Sequence, residues 1–334
     1  MKPKVVVYGV GAIGSGVAKA LLERGMEVVA AVDISPAKVG KDLAEVASLE
    51  EKTGIVVRKT LSEALESREA NVVVHTTGSY LKDVLPQIEE CISSKLSVVS
   101  TCEELSYPYY KHPEIAKRID EKAKEAGVAV LGTGINPGFL MDLLPTVLTA
   151  PCIRVEEIRV TRVINSAKRR APFQKKIGTG LTREEFMEKI SRREITGHVG
   201  LVESIAMLSA ALGLKLDDIV EKPPEPVIAE STVETPYTRV EPGLVAGLRS
   251  VAEGLKAGKS VITLDFRAYA GADPEYDEVV VRGEPELNVR IHGGVHGDKG
   301  TVGMVVNMVP TILKASPGLH TMIDLPAPRA AVST

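Results

Sequence analysis

The sequence predicts an α/β fold, with an N-terminal doubly wound parallel sheet of the Rossmann type followed by a second domain of the α+β class. Three observations support this prediction. Apolar strands alternate with helices over the first 135 residues, and a glycine-rich turn joins the first strand to the first helix. From about residue 136 the apolar residues recur instead with a period of two, which is typical of half-buried strands.

The first domain is predicted to consist of six strands with a helix between each pair. The strands are expected at Val5–Tyr8, Glu27–Val32, Ile55–Arg58, Val72–His75, Ser97–Ser100 and Val128–Leu131. The helices are expected at Ile13–Arg24, Asp42–Leu49, Leu61–Glu66, Val84–Ser93 and Glu114–Ala126. Ligands of such sheets bind beyond the carboxyl ends of the strands, so the residues that follow each strand are the first to inspect for function.

The second part of the chain is predicted to mix helices with a mixed or antiparallel sheet. Expected strands are Ile153–Val163, Val261–Tyr269 and Glu286–Ile291, and expected helices are Phe139–Leu148, Arg183–Ser191, His198–Leu212 and Thr301–Leu313. Three prolines make 220–227 an expected irregular connector. The predicted domains are a dinucleotide-binding domain over 1–135, a substrate and oligomerisation domain over 136–299, and a C-terminal helix and tail over 300–334 that return to the first domain.

The turn after the first strand has the spacing G-x-G-x-x-G, and its six residues are predicted to bind a dinucleotide: Gly9, Val10, Gly11, Ala12, Ile13 and Gly14. Gly9 allows a tight turn, Gly11 lets the backbone approach a pyrophosphate, and Gly14 lets helix and strand pack closely. The pyrophosphate is then expected at the N-terminus of the helix, where free N–H groups favour an anion.

The second strand ends in Asp33, which is placed to accept a hydrogen bond from a ribose 2′-hydroxyl. Such a carboxylate favours NAD because it repels a 2′-phosphate. Lys38 and Lys41 follow closely and could pair with that phosphate, or they could be solvated lysines at a helix start. The predicted cofactor is therefore NAD or NADP.

Composition argues against several other classes of protein. The net charge of −3, with 25% charged residues, does not suggest a nucleic-acid or membrane partner. The N-terminus leads directly into a fold strand, and the three cysteines are too scattered for a disulfide framework, so we expect a cytoplasmic protein. No metal site is expected, because His292 and His296 have no carboxylate or thiol ligands in their vicinity.

The loops after the fourth and fifth strands carry the next group of predicted site residues. Cofactor contacts are expected from Thr76, Thr77, Gly78, Thr101 and Cys102, and also from Asn307 on the predicted 301–313 helix. Glu103 and Glu104 follow the fifth strand, where a carboxylate could bind a substrate ammonium, accept its proton and activate water. Either glutamate could instead cap the next helix or be solvated.

A second glycine-rich loop and a basic cluster supply the predicted substrate contacts. Asn136 and Phe139 lie in the loop 132–139; the Asn136 amide could hold a nicotinamide carboxamide, and the loop could equally be a domain hinge. Arg169, in the basic cluster 168–170, could bind a substrate carboxylate or belong to a solvated face. His198 could line the substrate pocket or cap the helix that follows it.

Several of these segments resemble the 2,4-diaminopentanoate dehydrogenase family, a branch related to dihydrodipicolinate reductase. The resemblance covers nearly the full length and rests on five segments: Gly9–Gly14, Ser100–Pro108, Gly132–Phe139, Thr196–Ser204 and His296–Asp298 with Pro317–Leu319. It implies a second domain like the C-terminal domain of dihydrodipicolinate reductase, and an NAD(P)-dependent amine dehydrogenase. The implied reaction converts 2,4-diaminopentanoate to 2-amino-4-oxopentanoate and ammonia, in ornithine degradation, with related members aminating small ketones and aldehydes.

The resemblance also implies site residues and partners. The catalytic glutamate of the family maps to the Glu103–Glu104 pair, and Glu104 is the favoured one. The expected partners are a small amine or ketone substrate, ammonia and a second copy of the chain in a homodimer. Three alternatives remain: an imine reductase of the dihydrodipicolinate type, although 161–170 lacks the paired-histidine motif of those enzymes; a semialdehyde dehydrogenase with Cys102 as nucleophile; and a non-catalytic dinucleotide sensor.

Overall fold

The computed structural model describes residues 2–331, which divide into two compact units. The first unit comprises the chain up to Phe139 together with the segment from His296 onward, and the second comprises Leu140–Val295. The second unit is thus inserted into the sequence of the first, between its sixth strand and its last helix.

The N-terminal part of the first unit alternates strands and helices. Its strands are β1 Lys4–Tyr8, β2 Glu27–Val32, β3 Val57–Arg58, β4 Val72–His75, β5 Ser97–Ser100 and β6 Ala129–Gly132. Its helices are α1 Ala12–Glu23, α2 Leu43–Ala47, α3 Leu61–Leu65, α4 Leu81–Ser93 and α5 Pro113–Ala126. Three of these strands, β2, β4 and β5, have the bounds that the apolar runs predict.

The second unit is built around long strands. Its strands are β7 Arg154–Asn165, β8 Asp218–Glu221, β9 Glu225–Ile228, β10 Val233–Glu234, β11 Arg239–Val240, β12 Val245–Lys256, β13 Lys259–Tyr269, β14 Tyr276–Glu284 and β15 Leu287–His292. Its helices are α6 Leu143–Leu148, α7 Ala171–Lys176, α8 Arg183–Ser191 and α9 Leu201–Ala211. The chain then re-enters the first unit with α10 Gly297–Ile312 and β16 Gly318–His320.

The sheet of the first unit has the strand order β16-β6-β5-β4-β1-β2-β3, and all its strand pairs are parallel. The order reverses between β1 and β4, which confirms the predicted doubly wound topology. Both faces are covered by helices, so the middle strands are fully buried; Val5, Val6 and Val7 have no exposed surface. The carboxyl ends of β1 and β4 meet at the switch point, and the loops that follow them form one edge.

The large sheet of the second unit is mixed, as predicted, with the order β15-β14-β7-β13-β12-β8 and β9 also paired to β12. Strands β7 and β13 are parallel, while the other pairs are antiparallel. The connector predicted over 220–227 was wrong, because β8 and β9 lie there. Pro226 is tolerated within β9 since that strand pairs only with β12 and lies at an edge.

Two predicted helices begin three or four residues later than expected. The helix predicted from Phe139 starts at Leu143, where the Asp142 carboxylate accepts the Leu143 N–H at 2.7 Å and caps the first turn. The helix predicted from His198 starts at Leu201, because Gly197 and Gly200 have left-handed backbone, with φ of 74° and 105°. In both cases a cap sets the boundary, rather than the apolar pattern.

Candidate active site

The glycine-rich turn leaves β1 and enters α1 in a shape that depends on two of its glycines. Gly9 has a φ of 95°. A Cβ on Gly14 would lie 1.8 Å from the Gly9 carbonyl oxygen, so α1 can cross the turn this closely only with glycine there. Gly11 differs, because a Cβ built on it meets no heavy atom within 4 Å. The space beside Gly11 is therefore open, as the approach of a pyrophosphate requires.

The N-terminus of α1 is suited to an anion. Gly11 is its N-cap, no side chain caps the helix, and its first turn contains no acidic residue. The backbone around this end of the helix belongs to Val10, Ala12 and Ile13. Uncapped N–H groups and the positive end of the helix dipole favour a phosphate at this position. The residues present thus fit the pyrophosphate of a dinucleotide.

Asp33, directly after β2, is held against the glycine-rich turn. Its Oδ2 accepts the Val10 N–H at 2.9 Å and the Lys38 ammonium at 2.8 Å, and its Oδ1 accepts the Ser35 N–H at 2.9 Å. Burial alone would raise the pKa of Asp33, but the hydrogen bonds from Lys38, Ser35 and Val10 outweigh it and hold the pKa below its ordinary value. Lys38 therefore neutralises the carboxylate that would select against a 2′-phosphate. Lys41 pairs instead with Glu45.

The loop after β4 braces the glycine-rich turn from the neighbouring strand. The Thr76 hydroxyl donates to the Gly9 carbonyl oxygen at 2.6 Å, and it is also one of the atoms that a Cβ on Gly14 would meet. Thr77 and Gly78 continue this loop towards α4, and the Thr77 hydroxyl lies 2.8 Å from His75 Nε2. The Thr76 hydroxyl thus helps to hold the glycine-rich turn in this conformation.

His75, the last residue of β4, is a fully buried residue that the sequence reasoning missed. Its Nδ1 lies 2.9 Å from Ser100 Oγ at the end of β5, and its Nε2 lies 2.7 Å from Gln87 Oε1. Burial lowers the pKa of His75 to about 4, and the hydrogen bond to Gln87 acts in the opposite direction. The imidazole is therefore neutral, and it joins the loops that follow β4 and β5.

Glu103 and Glu104 lie in a short 3₁₀ turn, Glu103–Leu105, just after β5. The turn packs tightly on β6, since a Cβ on Gly132 would lie 2.4 Å from the Leu105 carbonyl carbon. On the other side, the Glu104 N–H donates to the Ser79 carbonyl oxygen at 3.3 Å. Backbone contacts on both sides thus fix the turn at the edge of the sheet where the glycine-rich loop also lies.

The two glutamates have different surroundings. Glu104 is buried, and its Oε2 accepts the Leu81 N–H at 2.8 Å and lies 3.0 Å from His112 Nε2. Glu103 is half-buried and its carbonyl oxygen accepts the Ser106 hydroxyl. Sequence inspection did not single out His112 or Leu81, because the folded turn before α5 brings His112 to Glu104 and Leu81 contributes only its backbone N–H from the start of α4. Glu104 is the glutamate whose carboxylate is held in one orientation.

Thr101 and Cys102 come between β5 and this turn. The half-buried Thr101 donates its N–H to the His75 carbonyl oxygen at 2.9 Å. Cys102 is buried, its thiol donates to the Ser79 carbonyl oxygen at 3.3 Å, and burial raises the pKa of that thiol. A nucleophilic cysteine needs an accessible sulfur with a lowered pKa. This environment therefore argues against Cys102 as the nucleophile of a semialdehyde dehydrogenase.

The loop after β6 is compact. Gly138, with a φ of 123°, lies so close to Gly134 that a Cβ would be 2.5 Å from the Gly134 N atom, and the Ile135 N–H donates to Thr301 Oγ1 of α10 at 3.3 Å. Asn136 is buried within this loop and Phe139 is half-buried at its end. Their predicted contacts with cofactor and substrate stay predictions.

Asn307 lies elsewhere in the first unit. Its Oδ1 accepts a hydrogen bond from Arg24 at 2.5 Å, just beyond the C-terminal end of α1. Arg24 is separated from Gly11 by the whole of α1, roughly 18 Å of helix. The predicted contact between Asn307 and the cofactor therefore gains no support from this geometry.

The second unit contains the other two predicted substrate residues. Arg169 is buried rather than solvated, and its guanidinium lies 5.1 Å from the centre of the Phe173 ring. The His198 ring stacks on Phe266 with centroids 4.2 Å apart. Lys168, by contrast, is exposed and pairs with Glu275 at 2.6 Å. Within the basic cluster 168–170, Arg169 is thus shielded from bulk solvent, whereas Lys168 is not.

The described residues contain no group of three or more histidine, cysteine, aspartate or glutamate side chains that could hold a metal ion. Within residues 2–331, no helix combines the length and apolarity that crossing a membrane requires.

Comparison with known proteins identifies both halves of the chain. Residues 139–334 match the 2,4-diaminopentanoate dehydrogenase C-terminal domain, and residues 3–107 match the N-terminus of dihydrodipicolinate reductase. The 2,4-diaminopentanoate dehydrogenase of Acetoanaerobium sticklandii is 36% identical over 98% of this chain and 95% of its own length. The chain belongs to the 2,4-diaminopentanoate dehydrogenase family. It is accordingly an oxidoreductase with an NAD(P)-binding Rossmann unit.

Solved structures agree with this family assignment. The amine dehydrogenase of Mycobacterium smegmatis superposes with a TM-score of 0.87, at 26% identity, over 99% of this chain and 98% of its own. A dihydrodipicolinate reductase from Paenisporosarcina shares the fold, with a TM-score of 0.54 and 13% identity over 97% of this chain and 99% of its own. The resemblance that the sequence motifs indicated is therefore confirmed.

Proposed function

We propose that this member of the 2,4-diaminopentanoate dehydrogenase family catalyses the NAD(P)-dependent oxidative deamination of a small amine. The favoured substrate is 2,4-diaminopentanoate, which would react with water and NAD(P)⁺ to give 2-amino-4-oxopentanoate, ammonium, NAD(P)H and a proton. The reverse direction is the reductive amination of small ketones and aldehydes. The observation that carries the proposal is the 36% identity, over nearly the full length, with an enzyme of that name.

Glu104 is the proposed catalytic group. A carboxylate that is fixed at the edge of the sheet can bind the substrate ammonium and then take one of its protons, because only the neutral amine can expel a hydride. Hydride loss leaves an iminium, and once Glu104 has released the first proton to solvent, its carboxylate can take a proton from the water that attacks the iminium carbon. Holding the amine in one orientation is itself a large part of the rate enhancement.

The cofactor would be held by the glycine-rich turn, by Asp33 and by the loops after β4 and β5, which include Thr76, Thr77, Gly78, Thr101 and Cys102. When bound, its nicotinamide supplies the hydride acceptor of the reaction. The chain's own contribution is the open space at Gly11, the uncapped N-terminus of α1 and the anchored Asp33 carboxylate.

The carboxylate of 2,4-diaminopentanoate requires a cation, and we assign this role to Arg169. An arginine can bind a carboxylate through two parallel hydrogen bonds, and it binds more strongly where bulk solvent is excluded. Arg169 is a buried arginine, and Phe173 supports its guanidinium. Asn136, Phe139 and His198 are the other proposed substrate contacts.

The test follows NAD(P)H at 340 nm with 2,4-diaminopentanoate as substrate, and in reverse with ammonia and small ketones. We expect amine-dependent reduction of the cofactor. Glu104→Gln should lower turnover at least about 100-fold while cofactor binding persists. Glu103→Gln is the matched control, because it makes the same change one residue away. Loss of turnover in Glu103→Gln with full activity in Glu104→Gln would reverse the assignment of the two residues.

We further propose that the enzyme acts in the cytoplasm, in ornithine degradation, as a homodimer that forms through the 136–299 domain. Light scattering of the purified protein in solution tests the dimer directly, since a monomeric mass would contradict it.

A further inference from the structure

The two carboxylate oxygens of Glu104 differ in their surroundings. Oε2 receives both hydrogen bonds, from the Leu81 N–H at 2.8 Å and from His112 Nε2 at 3.0 Å. Among the described residues, no group donates a hydrogen bond to Oε1. The Glu104 side chain is 12% exposed, so the carboxylate is mostly buried but still accessible from solvent. One oxygen is thus fixed and the other is left for a ligand.

The fold provides the two donors from separate elements. Leu81 is the first residue of α4, so its N–H belongs to the positive end of a 13-residue helix. His112 is the N-cap residue of α5, yet its side chain does not cap that helix. A turn between Pro108 and His112, closed by a 2.8 Å backbone hydrogen bond, brings the imidazole back to Glu104.

The chemistry of the donors fixes where a proton can go. A carboxylate accepts hydrogen bonds, so His112 Nε2 carries a hydrogen and donates it to Oε2. Two N–H donors on Oε2 stabilise negative charge there and prevent the side chain from rotating. A proton that Glu104 takes up would displace one of these donors if it went to Oε2. It displaces nothing if it goes to Oε1.

We infer that His112 is a positioning residue that, together with the Leu81 N–H, anchors Glu104 through Oε2 so that Oε1 is the atom that takes the proton from the substrate ammonium. This inference rests on the proposed function. In the step itself, one N–H bond of the ammonium breaks, its electron pair stays on nitrogen, and an O–H bond forms at Oε1.

The experiment is a double-mutant cycle between His112 and Glu104, read as turnover and as binding. His112→Leu removes the donor, and His112→Asn keeps a polar side chain that is too short to reach Oε2. Both should lower kcat about 10- to 100-fold, because small displacements of a catalytic group are costly. The KM of the amine and the Kd of NADH should change by less than about threefold. His112→Gln, whose amide reaches as far as the imidazole Nε2, should restore most of kcat.

The Glu104→Gln background separates positioning from a structural role. If His112 acts through Glu104, adding His112→Leu to Glu104→Gln should change the residual turnover by less than about twofold. An equal loss in both backgrounds would overturn the inference. His320→Leu is the control, because it makes the same change at a half-buried histidine of the same unit whose ring bonds the Ser316 carbonyl oxygen rather than Glu104.

The outcomes distinguish the two proposals. An inactive wild-type protein that still binds NADH would refute the proposed function. An active wild-type protein whose kcat is unchanged in both His112→Leu and His112→Asn would leave the function standing and refute the role of His112.

Discussion

The Asp33 carboxylate accepts a 2.9 Å hydrogen bond from the Val10 N–H, which ties the end of β2 to the glycine-rich turn. The same oxygen accepts the Lys38 ammonium. The group that usually reads the ribose is therefore fixed before any ligand arrives, and its charge is already compensated. We therefore expect cofactor selection at this position to depend on the pair of Asp33 and Lys38 rather than on Asp33 alone.

Replacing Lys38 should separate the two cofactors. In Lys38→Met the Asp33 charge is no longer neutralised, so the 2′-phosphate of NADPH should be repelled and its Kd should rise about tenfold, or roughly 1.4 kcal/mol. The Kd of NADH should stay within about twofold. Fluorescence titration of both cofactors measures this, with Lys41→Met as control because Lys41 pairs with Glu45 at the surface. An equal change for both cofactors would contradict the role of Lys38.

Gly11→Ala and Gly14→Ala should fail in different ways. The methyl group on Gly11 meets no protein atom, and Gly11 has a φ of −80° that alanine also adopts, so the protein should keep its Tm but bind NADH at least about tenfold more weakly. The methyl group on Gly14 would overlap the Gly9 carbonyl oxygen, so Gly14→Ala should destabilise the fold by about 1–3 kcal/mol or more. Thermal unfolding and NADH titration of both variants check this, and normal NADH affinity in Gly11→Ala would contradict it.

His75 should make the protein sensitive to acid. Its pKa is about 4 in the fold, below the ordinary 6.5, so between these two values the unfolded chain binds a proton that the folded chain does not. Stability is therefore complete above pH 6.5 and falls as the pH drops towards 4, by about 2 kcal/mol at pH 5 for this group. His75→Gln should show a smaller fall in Tm between pH 7 and pH 5 than the wild type. If the Tm of both proteins fell equally between pH 7 and pH 5, His75 would not contribute to the acid sensitivity.

Arg162 and Asp277 form a buried ion pair in the second unit. Their atoms lie 2.8 Å apart, and the Arg162 side chain is only 2% exposed. Asp277→Ala leaves a buried guanidinium without its carboxylate partner, so it should cost about 3–5 kcal/mol. The pair of Glu157 with the exposed Arg282 provides the control, since Arg282→Ala should cost less than about 1 kcal/mol. Denaturant unfolding of both variants measures the difference, and equal costs would show that burial does not matter here.

The sequence predicted the first sheet well for a physical reason. Parallel strands that are buried on both faces appear as short apolar runs between helices, and Glu27–Val32, Val72–His75 and Ser97–Ser100 are runs of this kind. Strand β12, which at 12 residues is as long as β7, was not predicted. It contains Gly247 and Gly254, which interrupt the alternation of apolar residues. The fold needs one of them, because a Cβ on Gly247 would lie 2.1 Å from the Ala268 carbonyl oxygen.

The candidate site, too, was predictable from the sequence in one part and not in another. The glycine-rich turn and Asp33 are local in sequence and have a fixed spacing, so the motif indicates them directly. The partners of Glu104 are not local: Leu81 contributes a backbone N–H, and His112 reaches the carboxylate only through the turn that precedes α5. A backbone donor leaves no trace in the sequence, and a lone histidine before a proline indicates nothing by itself.

Strand β16 forms the outer edge of the first sheet and pairs with β6, although 185 residues separate the end of β6 from its beginning. During synthesis, the ribosome therefore releases β6 long before its neighbour exists. At a rate of about 5–20 residues per second, the open edge of β6 waits roughly ten seconds or more, while the entire inserted unit is made. Such an edge can pair with other chains, so the nascent protein passes through an interval in which aggregation competes with completion of its own sheet.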